Sequence, residues 1–245
     1  MGSYGYGSRR QYSGGYSDVA TKSTDISDAD KAILDGDSNW YGYFQTSESW
    51  RLNKAIREHE VNGVPLDDAI RAQHPQWNAL SPEVQESRLN RVKKTLATMD
   101  KNMKPLDADI NVVRLTTGKW LLSMLKSFGL ATPDLNSVDP DVLHYIVQKR
   151  MDKINNFLEN NDAIYYDKTF QSATYNLSLS DSAFKDWHHP VRIEYVGTKG
   201  TKALFSPTGQ ESEVVFDRKS GLNIKKLEWD NDHNELIIRA KTTKK

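Results

Sequence analysis

Three short pieces of this chain have residue types and spacings that could do chemistry. Arg114 follows Val112 and Val113 and precedes Leu115, Thr116 and Thr117. An arginine inside an apolar strand needs an anionic partner or access to solvent. Taken alone it reads as an internal ion pair or an edge-strand arginine. The second piece, Phe170-Gln171-Ser172-Ala173-Thr174, is an apolar strand ending in hydroxyls. On a strand Phe170, Ser172 and Thr174 share a face, where hydroxyls can orient a neighbouring carboxylate, although Ser and Thr commonly end strands. The third, Glu211-Ser212-Glu213, leads directly into Val214-Val215-Phe216. If the chain is extended there, the spacing of two puts both carboxylates on one side, where they repel each other. Lys202, Arg218 and Lys219 are cations that would compensate a purely structural pair. For the acids alone, structure and function are evenly matched.

The elements that must position these residues are legible as periodic segments. Ser47 can cap a helix over Glu48–Arg57, in which Leu52, Ala55 and Ile56 share one face. Ser81-Pro82-Glu83 starts a second helix with a cap, a first-turn proline and an early acid. It carries Leu89, Val92, Leu96 and Met99 at three- and four-residue spacing. A third helix is expected after Asp139-Pro140, with Leu143, Ile146, Arg150, Ile154 and Phe157 or Leu158 in one stripe. Between the second and third lie a strand at Val112–Leu115 and a helix around Lys119–Ser127. After Asn160 the pattern turns to strands: Ile164–Tyr166, Thr169-Phe170, Val191–Val196, Lys202–Phe205, Glu213–Phe216 and Glu235–Ala240. Helices first and strands later predict an α+β fold rather than a doubly wound sheet. Residues 1–37 are rich in Gly, Ser, Tyr and Asp and read as a flexible extension ahead of one domain spanning 38–245.

Composition narrows the function classes. Lys+Arg and Asp+Glu are both 33, so the formal charge of the 245 residues is zero and exerts no global pull toward nucleic acid or anionic membrane. Interleaved Tyr and Arg over Tyr4–Arg10 could stack on nucleic acid, but reads first as a linker; Lys241, Lys244 and Lys245 read as a solvated terminus. With no cysteine, disulfides, thiolate chemistry and Cys-based zinc sites are excluded. No apolar run approaches the roughly 20 residues of a membrane span, no ordinary secretory signal is visible, and a soluble protein is expected. His188-His189 lacks companions at metal spacing, and no metal site is expected. There is no internal repeat, P-loop or Gly-x-Gly-x-x-Gly fingerprint.

The order of the three pieces resembles the R-S-E class of mono-ADP-ribosyltransferases in its Glu-x-Glu subtype, which includes bacterial toxins and effectors, phage enzymes and vertebrate ecto-enzymes. The resemblance extends to Val191–Leu204, which looks like the strand, Gly-Thr turn and strand ahead of the Glu-x-Glu loop. Asp217–Ile224 looks like the turn and return strand behind it, and the helices from Trp40 to Lys101 are similar to the lead-in of the toxin members. It covers about Trp40 to Arg239. The implied fold has two packed antiparallel or mixed sheets around an NAD cleft, with a helical N-terminal half. The other class of these enzymes uses an early His and a later Tyr pair; His144-Tyr145 fits it only superficially, being set in a helical pattern.

The resemblance implies a reaction: cleavage of NAD+ at the nicotinamide glycosidic bond and transfer of ADP-ribose, with NAD+ as co-substrate and no metal. Glu213 matches the glutamate that stabilises the developing charge on ribose and holds its hydroxyl. Ser172 matches the serine that orients that glutamate, and Thr174, replacing the last serine of the usual Ser-Thr-Ser, supports it. Arg114 matches the arginine that clasps the NAD+ phosphates. Glu211 matches the acceptor-side acid that goes with arginine targets, with Ser206–Ser212 as the target loop. Two departures stand out: Arg114 and Ser172 are far apart, implying an extra helix near Asp139–Leu158, and the target loop has no obvious aromatic. The expected acceptor is an arginine of a target protein in a host or competitor cell; the alternatives are RNA or DNA, or water in an NAD+ glycohydrolase. The family's habits add a carrier or secretion polypeptide, an immunity protein, a role in virulence, no membrane partner, and delivery into a foreign cytoplasm.

Overall fold

A computed structural model describes residues 26–35, 43–44, 49–175, 191–206 and 212–243. The N-terminal layer is helical: α1 (Asp28–Asp35), α2 (Ser49–Asn62), α3 (Leu66–Ala72), a 3-10 turn (Trp77–Ala79) and α4 (Pro82–Asn102). Helix α4 begins where its sequence signals place it. Ser81 Oγ accepts a 3.5 Å hydrogen bond from Val84 N, Pro82 opens the helix, and Leu89, Val92, Leu96 and Met99 are buried. Helix α2 buries Leu52, Ala55 and Ile56 as expected, but the proposed cap Ser47 lies outside the described residues. The expected extension over 1–37 is corrected in part. Residues 1–25 lie outside the described residues, yet α1 is helical, Leu34 is fully buried, and Asp30 pairs with Lys101 of α4 at 2.8 Å. Ile26, just before this helix, and Leu34 within it pack into the core of the helical layer.

Then follow β1 (Lys104–Pro105), β2 (Ile110–Thr116), α5 (Gly118–Ser127), α6 (Pro133–Asn136), α7 (Leu143–Gln148) and α8 (Met151–Asn160). Gly118 is required at the start of α5, because a Cβ there would sit 1.8 Å from the carbonyl oxygen of Pro140. The single stripe expected from Leu143 to Leu158 is broken into α7 and α8. Arg150, at φ −116° and ψ 8°, leaves helical geometry, and its guanidinium bonds Thr132 Oγ1 at 2.9 Å and the Asp134 carboxylate. His144 is buried on α7, stacked on Trp229 with ring centroids 5.9 Å apart.

The strands are β3 (Ile164–Tyr165), β4 (Gln171–Thr174), β5 (Val191–Gly197), β6 (Lys202–Phe205), β7 (Glu213–Phe216), β8 (Gly221–Asp230) and β9 (Glu235–Thr243). The expected strand at Thr169-Phe170 is absent; pairing starts at Gln171. Together with β1 and β2 they form one nine-stranded sheet in the order β1-β6-β7-β4-β2-β5-β9-β8-β3, antiparallel except for the parallel pair β5 and β9. The α+β expectation holds, and the two sheets it implied are halves of one. Strands β2 and β5 pair over their whole length, whereas β4 and β2 meet only at Val113 and Thr174. Among the described residues, the strand ladder passes between the halves β1-β6-β7-β4 and β2-β5-β9-β8-β3 at that pair.

This junction also divides the core. Phe170, Leu204 and Val215 pack into the helical layer with Phe44, Ile56 and Met99. Ala173, Val214 and Phe216 face the other way, into a cluster with Trp120, Leu121, Met124, Ile193 and Ile238. Strand β7 is thus covered on both faces, which is why Val214-Val215-Phe216 is continuously apolar. Among the described residues, no helix is long and apolar enough to cross a membrane, and no group of three or more His, Asp or Glu is placed to hold a metal ion.

Candidate active site

The site forms where the two halves of the sheet part. On the β4 side, Thr174 faces Glu213 and Ser172 faces Val215 in the β4–β7 register, so Ser172 and Glu213 are diagonal neighbours on one face. The Ser172 hydroxyl donates to Glu213 Oε1. Ser212, just before Glu213, has φ +48°, a left-handed conformation that costs roughly 1–2 kcal/mol in a residue with a Cβ. Its carbonyl is held by Tyr175 N at 3.0 Å and by the Thr174 hydroxyl at 3.4 Å. The second hydroxyl therefore supports the backbone that presents Glu213. Ser212 is not extended, so the condition under which a spacing of two would put both acids on one side is not met there. Glu211 itself lies outside the described residues. Of the cations expected to balance the acids, Arg218 instead pairs with Asp100 at 2.9 Å and Glu60 at 3.8 Å.

On the β2 side, Arg114 stands opposite Ile193 of β5 with its side chain 19% exposed. Its partner is Asp167, on the loop between β3 and β4, whose side chain is 1% exposed. Asp167 Oδ2 accepts from Arg114 Nη1 at 3.4 Å and from Trp120 Nε1 of α5 at 3.2 Å, and Oδ1 accepts from Arg57 Nη2 of α2 at 2.5 Å. A carboxylate this deeply buried is tolerated because both oxygens are bonded and two cations are adjacent. Arg57 and Arg114 thus share one buried carboxylate.

In a flat sheet the two sides would not meet. Thr174 pairs with Val113, the neighbour of Arg114, so strict alternation sends Arg114 and Ser172 to opposite faces. Tyr43 links them. Its buried phenol accepts from Asn53 Nδ2 of α2 at 3.3 Å, while Asn53 Oδ1 receives Phe170 N at 3.2 Å. Burial pushes the Tyr43 pKa far above its ordinary value; the negative charge of Glu213 raises it further, and Arg114 acts in the opposite direction. The charges of Glu213, Arg114 and Asp167 all act on this phenol. Burial likewise raises the Tyr195 pKa, with Arg114 its opposing charge. Tyr43, Asn53, Arg57, Trp120 and Asp167 were not singled out from the sequence. The signal for two of them was present: Asn53 and Arg57 are an i, i+4 polar pair on α2, beside the apolar stripe.

No protein-family model matches the chain, and no curated protein matches it. Solved structures do. The S. aureus protein C3stau2, whose crystal structure is with NAD, is 20% identical, with 80% of this chain and 88% of that chain covered and a TM-score of 0.43. Plx2a, an ADP-ribosyltransferase toxin from Paenibacillus larvae, is 13% identical, with 89% and 88% covered and a TM-score of 0.49. The Vibrio splendidus ADP-ribosyltransferase Vis, in complex with agmatine, is 16% identical, with 92% and 79% covered and a TM-score of 0.44. The chain is similar to bacterial ADP-ribosyltransferase toxins. All three TM-scores lie below 0.5, and the functional reading rests on the side chains.

Proposed function

We propose that this protein is a mono-ADP-ribosyltransferase that cleaves NAD+ and passes ADP-ribose to a protein arginine. The observation that carries the proposal is the Ser172–Glu213 hydrogen bond, on the strand that pairs through Thr174 with Val113, the neighbour of Arg114. Breaking the ribose–nicotinamide bond sends the electron pair out with nicotinamide and leaves positive charge on the ribose carbon, as in glycoside hydrolysis. Glu213, fixed by Ser172, supplies a carboxylate beside that carbon and accepts from a ribose hydroxyl. A preorganised negative charge stabilises the transition state more than the ground state. Arg114 and Arg57 hold the diphosphate, for which planar forks of donors are suited. The acceptor guanidine then bonds to the ribose carbon, and its proton passes to Glu211, in the role assigned by resemblance.

The test is nicotinamide release from labelled NAD+ in the presence of a cell lysate. Glu213→Gln should lower it by about a hundredfold or more, the magnitude seen when one preorganised electrostatic group is lost. Undiminished release by that variant rejects the proposal. Label should appear in protein bands that nuclease leaves intact; label that nuclease removes assigns the acceptor to nucleic acid instead. Glu211→Gln should lose transfer to arginine yet keep some hydrolysis of NAD+, and full retention of transfer rejects the arginine assignment.

A further inference from the structure

Asp167 is used by nothing in the chemistry just described, yet three elements converge on it. Arg57 comes from α2, Arg114 from β2 and Trp120 from α5, and together they bond both carboxylate oxygens. Among the described residues, Asp167 is the only carboxylate that pairs with either arginine. The two arginines differ in exposure, at 51% for the Arg57 side chain and 19% for Arg114. Each guanidinium has five N–H donors, and its hydrogen bond to Asp167 engages a single nitrogen, Nη2 of Arg57 and Nη1 of Arg114. Sharing one carboxylate brings two like charges closer than they would come in its absence. Its Oδ2 is in turn held by the Trp120 indole, which is packed edge-on to Tyr165 with centroids 5.0 Å apart.

We infer that Asp167 is a positioning residue that sets Arg57 and Arg114 side by side as one clamp, and so makes the cleft prefer a diphosphate to a monophosphate. The inference rests on the transferase reading and extends it to the substrate class. A single phosphate engages one fork well; two linked phosphates present charge to both forks at once. The positive charge left over on the node is then neutralised by the ligand rather than by a second buried acid.

The test measures binding, not turnover, by calorimetric titration of the whole chain with ADP-ribose and with AMP. Asp167→Asn should weaken ADP-ribose tenfold or more and AMP less than threefold. In an Arg114→Gln background the same change should lose most of its effect, because the two act as a unit. A folded Asp167→Asn protein that binds ADP-ribose within twofold of wild type overturns the inference, as does an equal loss of both ligands. Should Asp167→Asn fail to fold, Trp120→Phe removes one donor from Oδ2 and leaves every charge in place. It should weaken ADP-ribose about threefold with AMP unchanged, and unchanged ADP-ribose binding overturns the inference. A wild-type chain that binds no ADP-ribose sinks the transferase reading as well; binding that is indifferent to Asp167 sinks this inference alone.

Discussion

Glu213 is one carboxylate among the 33 acidic residues of the chain, and what distinguishes it is its surroundings. A hydroxyl from the next strand donates to it, and a strained left-handed serine precedes it. Hydrogen bonds to charged groups contribute about 1.5–3 kcal/mol, so Ser172→Ala should lower kcat/KM for NAD+ by roughly ten- to a hundredfold. Steady-state initial rates measure this, and a change under twofold would remove Ser172 from the site. Arg114→Lys keeps the charge but not the planar fork. It should raise KM for NAD+ by roughly tenfold while kcat moves little, the signature of lost uniform binding. A variant in which kcat alone falls would place Arg114 at the reacting bond rather than on the phosphates.

At the scale of elements, the cleft depends on segments that carry no chemistry. Helix α5 delivers Trp120 to Asp167, and its first residue can only be glycine, because the backbone of Pro140 fills the space where a Cβ would stand. Gly118→Ala should destabilise the fold by about 1–3 kcal/mol, read as a Tm lower by several degrees. An unchanged Tm would show that the Pro140 segment yields freely. Helix α7 offers a pH-dependent check. Burial holds the His144 pKa below its ordinary 6.5, so the unfolded chain takes up this proton first as pH falls. Stability from this group is full above about pH 7 and declines as pH drops through 6.5 toward the folded value. His144→Phe should flatten that part of the profile when urea unfolding is compared at about pH 7.5 and about pH 5.5. An unaltered slope would mean that another group sets it. The break between α7 and α8 was not legible in advance. The apolar stripe continues through it, and only the distant Asp134 and Thr132, which capture Arg150, end the first helix.

At the scale of the whole molecule, the helical layer and the sheet are not separable. Phe170, Leu204 and Val215 would face water without helices α1 to α4. A chain beginning at Lys104 should therefore bind ANS, lose its near-UV circular dichroism and aggregate; a truncated protein with a sharp cooperative transition would contradict this. The helix caps, the strand alternation and the order of arginine, hydroxyl strand and acids were legible in the chain itself, because each depends on residues close together in sequence. That was enough to predict an α+β fold with helices first and to single out Arg114, Ser172 and Glu213. Whether those three share a site was beyond sequence. Pairing Thr174 with Val113 would by alternation alone send Arg114 and Ser172 to opposite faces. What the tertiary structure adds is that β4 and β2 pair at Val113 and Thr174, while α2 reaches Phe170 through Asn53 and, through Arg57, the Asp167 that also holds Arg114. Asp167, the meeting point of both arginines, is an unremarkable acid in sequence, since its partners lie on three elements that only the folded chain brings together.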